Sequence, residues 1–193
     1  MASPNLFRWG GLAALLAGAF FIVEAAAAPF IEDFHWAFHT IDAPAHALLA
    51  VGVVGLYLWQ RRQEPCEWLG TVGVILIVTA SVLITLGGLV LIFVDGVLGT
   101  EAEVLNDIVH PLELVVMMGA VLFGMATMQV NDLPSGGALL IIIGALGFFG
   151  IKIVGVGPEW LISVAVAIVG AGWVWLGKLS GRKVVSRYSS LSV

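Results

Sequence analysis

Long apolar runs separated by short polar segments set the pattern of this chain. They predict helices at about 6–28, 45–60, 68–93, 111–128, 137–156 and 159–177. Each is close to the roughly 20 apolar residues that a helix needs to cross a bilayer. Lipid offers backbone N–H and C=O groups no water, so spanning segments are helices or strands of a closed barrel. Barrel strands alternate in polarity, and these runs do not. Pro29 ends the first run, Pro44 precedes the second, and Pro158-Glu159 opens the sixth. Pro111 falls in the first turn of the fourth, where its missing N–H costs nothing. The expected fold is all-α, a six-helix transmembrane bundle over residues 1–177 with a basic cytoplasmic tail at 178–193. Residues 1–28 also have the outline of a signal peptide, with Arg8, an apolar run and Ala25 to Ala28. They are read here as the first span.

Between the first two spans the periodicity changes. Phe30, Phe34, Phe38 and Ile41 form one face, while Glu32, His35 and His39 share another. This pattern predicts a short amphipathic helix lying at the membrane interface. A weak internal repeat is also present. Arg8-Trp9-Gly10-Gly11, Glu67-Trp68-Leu69-Gly70 and Pro134-Ser135-Gly136-Gly137 open the odd-numbered spans in similar ways. Three consecutive helical hairpins would produce it.

Charge then orients the bundle. Only 11% of the 193 residues are charged, where a soluble domain has about 25%. Of the 8 Lys and Arg residues, Arg8, Arg61, Arg62, Lys178, Arg182, Lys183 and Arg187 all fall on one set of connections. The opposite connections carry Glu32, Asp33, Asp42, Asp95, Glu101, Glu103 and Asp107. The positive-inside rule makes the basic side cytoplasmic, so both termini are expected there, in the cell membrane. Trp9, Trp59, Trp68, Trp160 and Trp175 lie near span ends, where indole rings favour the headgroup zone. A net charge of −5 without clustered Lys and Arg gives no nucleic-acid signature. Cys66 is the lone cysteine, so no intrachain disulfide forms.

The stretch Leu122-Phe123-Gly124-Met125-Ala126-Thr127, a polar loop, and Leu133-Pro134 before a Gly/Ala/Leu/Ile helix resembles a pattern in bacterial uncharacterised multi-pass membrane proteins. Ala47 to Trp59, followed by Arg61 and Arg62, is similar to their second helix. The resemblance loosely covers the first five helices. It implies a compact bundle of about six helices and assigns no functional residue.

Candidate chemistry comes from polar residues in or beside the spans. All 4 histidines fall on the acidic side. Glu32, His35 and His39, together with Asp107, His110 and Glu113 at spacings of three, would suit zinc, copper or iron. His46 and His110 from two helices could hold a haem, and one alone a chlorophyll-type magnesium. The competing reading of each is a solvated or carboxylate-satisfied histidine near the headgroups. Glu24, Asp95, Glu113 and Lys152 are ionisable groups within or at the ends of spans, where they usually pair or line a pathway. Lys152 is expected to form an ion pair with one of the three acids. The 24 glycines, including Gly144, Gly147 and Gly150, suit close helix packing.

No phosphate-binding loop, zinc-protease histidine pair or nucleophile elbow appears, so no catalytic residue is assigned. The leading expectation is a non-catalytic accessory or scaffolding subunit, packed with lipids, with copies of itself or with other membrane subunits. The alternatives are a haem-, pigment- or metal-binding protein and a small-solute or ion transporter.

Overall fold

The structure is a computed structural model that describes residues 4–30, 35–63, 68–98, 103–129, 135–155, 158 and 160–189. These residues form six α-helices: α1 (Pro4–Ala27), α2 (His35–Gln63), α3 (Trp68–Leu98), α4 (Glu103–Gln129), α5 (Ser135–Val154) and α6 (Trp160–Ser189). A single 3₁₀ turn, Ala28–Phe30, follows α1. All six helices contain a segment long and apolar enough to cross a membrane. The expected multi-pass, all-helical fold is therefore the observed one.

Each helix packs against the next in sequence, and α1 packs against α6. The result is a closed ring of alternating helices, with α4–α5 as its loosest seam. The three hairpins share one construction. A glycine near the start of the first helix meets a glycine of the second: Gly10 with Gly55, Gly73 with Gly119, and Gly137 with Gly172. A Cβ on Gly10 would lie 2.6 Å from the Gly55 Cα, closer than real atoms approach. Backbone contact of this kind supplies the van der Waals attraction that replaces the hydrophobic effect between helices in lipid. Gly18 and Gly170 make the same contact between α1 and α6, closing the ring.

The interior is filled by side chains. Phe123 of α4 stacks on Trp173 of α6 with ring centroids 5.6 Å apart, and Leu49, Val53, Leu56, Ile77, Ile84 and Ile141 are fully buried around them. The outer surface is just as apolar. Leu86, Leu89, Val90 and Phe93 of α3 all face outward, as a lipid-facing surface requires. Trp9, Trp68, Trp160 and Trp175 are exposed near span ends, but Trp59 lies inside the ring.

Several boundaries differ from the sequence reading. His35 to Ile41 is not a separate interfacial helix, because α2 runs unbroken from His35 through Pro44. Likewise α4 starts at Glu103 and runs through Pro111. Each proline removes one helix hydrogen bond, but turns on both sides and packed neighbours hold the helix together. Helix α6 continues past its apolar segment to Ser189, so Arg182, Lys183 and Arg187 lie on it. At the other end of the α5–α6 hairpin, Gly155 at φ 68° stops α5, and its N–H donates to the Ile151 carbonyl at 3.1 Å.

Candidate functional site

Polar side chains inside the ring gather in two layers. The first contains Glu24, Asp42, His46, Ser81 and Glu113, and the second contains Gln60 and Thr127. From His46 to Gln60, α2 rises roughly 20 Å, and the apolar plug described above fills that interval.

The second layer is simple. Gln60 Nε2 donates to Thr127 Oγ1 at 2.7 Å, tying α2 to α4, and Thr127 Oγ1 donates to the Phe123 carbonyl at 2.8 Å. Nearby, Tyr57 and Thr71 join α2 to α3 through their hydroxyls at 2.8 Å. Gln60 and Thr127 are fully buried.

The first layer carries the charge. Asp42 and His46 are one turn apart on α2, and Asp42 Oδ1 lies 3.2 Å from His46 Nε2. On its other side His46 Nδ1 lies 3.2 Å from Ser81 Oγ of α3. A neutral imidazole satisfies both contacts, with Nε2–H donating to Asp42 and Nδ1 accepting from Ser81. Phe21 of α1 sets its ring edge-on to His46 at 5.2 Å. One turn below Ser81, Thr85 Oγ1 donates to the Ser81 carbonyl at 2.8 Å and approaches the Ala43 carbonyl at 3.2 Å. Serine, histidine and aspartate thus form a hydrogen-bonded chain, but Ser81 has no exposed surface for a substrate carbonyl to reach. The chain acts as a clamp between α2 and α3.

Beside this clamp lies Glu24, 8% exposed on α1. Its Oε2 has no hydrogen-bond partner among the described residues. Asp42 and Glu113 are the neighbouring carboxylates that act on it electrostatically. Glu24 faces a cavity of about 140 Å³ whose wall also includes Glu113 of α4, Lys152 of α5 and Ser163 of α6. Phe148, Ile162 and Val166 line the rest of the cavity with carbon. Every helix therefore contributes a polar side chain to this end of the ring. Ionisable groups are expensive within a membrane, so a buried carboxyl with one oxygen unpartnered among the described residues marks the place where function is to be sought.

Glu24, Glu113 and Lys152 line one cavity. Of the three acids expected to pair with Lys152, the side chain of Asp95 lies outside the described residues. Lys152 is exposed, and among the described residues it makes no ion pair with Glu24 or Glu113. It shares their cavity instead. Glu32 lies outside the described residues, as do the side chains of His35, Asp95, Asp107 and His110. His39 is buried on α2, one turn before Asp42 and Ala43. Among the described residues no group of three or more His, Cys, Asp or Glu side chains converges as metal ligands would. His46, the described half of the haem pair, has both ring nitrogens engaged.

Sequence reasoning missed Ser81, Gln60, Thr127 and Ser163, and it gave Asp42 only a role in loop charge. Single hydroxyls within apolar runs carry no signal of their own. Asp42 was legible only as the residue four before His46, a spacing that puts both on one helix face.

No protein-family model, curated protein or solved structure matches this chain.

Proposed function

We propose that the chain is a small-solute or ion transporter whose binding chamber is the cavity bounded by Glu24, Glu113 and Lys152. One observation carries this reading. Ionisable side chains from separate helices line one cavity, and one buried carboxyl oxygen there has no hydrogen-bond partner among the described residues. The apolar plug beyond the chamber acts as the closed barrier, and the α4–α5 seam, flanked by Glu113 and Lys152, is the joint that opens. Both termini lie in the cytoplasm of a cell whose plasma membrane holds the protein, as the distribution of Lys and Arg supports. The chamber then faces the outer side.

The test is flux in proteoliposomes across a panel of small cations, anions and zwitterions. A transported solute should be found, and neutralising Glu24, Glu113 and Lys152 together should abolish its movement. Flux that survives the triple substitution removes these residues from the mechanism.

A second reading, as a scaffolding subunit, draws support from the outer face of α5. Most glycines are spent on contacts between the chain's own helices, but a Cβ on Gly150 would meet nothing within 4 Å. Lipid or another copy of the chain would pack there. Gly150→Leu should lower self-association in mild detergent under this reading, and a protein that is monomeric from the outset removes it.

A further inference from the structure

The chemistry of the chamber turns on Glu24, and this step rests on the transport reading for its purpose. Glu24 is 8% exposed and lines the cavity, and its Oε2 has no hydrogen-bond partner among the described residues. No described side chain makes an ion pair with it. Helix α2 brings Asp42 and His46 to its surroundings, with His39 one turn before Asp42. Helix α4 brings Glu113, α5 brings Lys152, and α6 brings the hydroxyl of Ser163. Asp42 is itself held by His46, whose Nε2 lies 3.2 Å away. The other ring nitrogen meets Ser81, so the imidazole has no N–H left for Glu24. A carboxylate taken out of water without a counter-charge is so costly that such a group takes up a proton instead. A second carboxylate close by, here Asp42, adds to that cost. Burial is enough for this, whatever charge Glu113 carries.

The cavity supplies the route. Its volume of about 140 Å³ has room for several waters, since one needs at least about 10–15 Å³ of such space and a few polar partners. Glu24, Glu113, Lys152 and Ser163 provide those partners. Lys152 is exposed in the last turn of α5, so the wall of the cavity reaches the end of the span there. We infer that the chamber binds a proton on the Glu24 carboxyl and exchanges it with water at the Lys152 end. The O–H bond forms as a cavity water hands over its proton, and breaks when the proton returns to water. On the transport reading, this proton is the ion whose movement drives the solute.

The experiment is infrared spectroscopy on the full chain in mild detergent, titrated over pH in water and in heavy water. An un-ionised carboxylic acid gives a C=O stretch above the amide band, and this stretch moves down when O–H becomes O–D. One such band should remain at about pH 7, where exposed carboxyls are ionised. It should shift in heavy water and fade as the pH is raised further. Glu24→Gln should remove it, and the lipid-facing control Leu89→Ala should keep it. Size-exclusion profile and circular dichroism report whether each variant folds. If Glu24→Gln does not fold, Glu24→Asp replaces it, which keeps the acid and should move the band rather than remove it. Absence of the band from the folded protein, a band that Glu24 variants leave in place, or one that heavy water does not shift overturns the inference. Proteoliposome flux over the same solute panel, with and without an imposed pH gradient, separates the two levels. The gradient should drive uptake, and Glu24→Gln should lower it at least about tenfold. Flux that ignores both the gradient and Glu24→Gln leaves transport standing and the proton site wrong. A titrating Glu24 band without flux of any solute leaves the proton site standing and transport wrong.

Discussion

The Nδ1 of His46 sits 3.2 Å from the Ser81 hydroxyl, and this contact joins α2 to α3 where both are surrounded by apolar side chains. Because Asp42 depends on the same imidazole for its buried partner, the two ends of the clamp are unequal. Ser81→Ala removes one neutral hydrogen bond and should cost about 1 kcal/mol. His46→Leu strands the Asp42 carboxylate and should cost about 3–5 kcal/mol. The double variant His46→Leu/Asp42→Leu should recover much of that loss. Reversible unfolding in mixed micelles measures all three, and a double variant no more stable than His46→Leu would show that Asp42 finds another partner.

Glycine contacts should divide sharply by position. Gly55→Ala pushes a methyl group into the Gly10 backbone, where an added Cβ would lie 2.5 Å from the Gly10 Cα. The expected cost is about 1–3 kcal/mol, as for overpacking elsewhere. Gly150→Ala meets nothing within 4 Å and should stay within about 0.5 kcal/mol of the parent. Equal effects in the same unfolding assay would deny that the α1–α2 crossing depends on a bare backbone.

Glu24 should show a conflict between stability and activity. Glu24→Gln keeps the shape while removing an ionisable carboxyl that is buried beside Asp42 and Glu113 and has one oxygen unpartnered among the described residues. Stability should rise by about 1 kcal/mol or more, while flux through the chamber falls at least about tenfold. A loss of stability together with retained flux would make Glu24 a structural anchor.

The far layer provides an independent control. Thr127→Val leaves Gln60 Nε2 buried without its 2.7 Å acceptor and should cost about 1–3 kcal/mol. With the two layers roughly 20 Å apart along α2, its cost should add to that of Ser81→Ala within about 0.5 kcal/mol. Ligand binding at the chamber should be unaffected. Strong non-additivity would mean that the plug between the layers transmits strain.

Taken alone, the sequence determined that this chain crosses a membrane six times as helices. Apolar run length and the absence of water in lipid leave the backbone no other choice, and those are local properties. It also singled out Glu24, Glu113 and Lys152, because charge within a span is visible residue by residue. The tertiary structure decided what those residues face. Ring closure between α1 and α6 depends on where Gly18 meets Gly170, and no linear pattern records which helix lies opposite which. The same packing turns Ser81 into the partner of His46, sets Lys152 at one cavity with Glu24 and Glu113, and carries α2 and α4 straight through Pro44 and Pro111. Local propensity expected a helix to start at or just after each proline, but contacts from neighbouring helices outweigh one missing hydrogen bond. The polar chamber is the product of that packing, since its wall is assembled from α1, α4, α5 and α6.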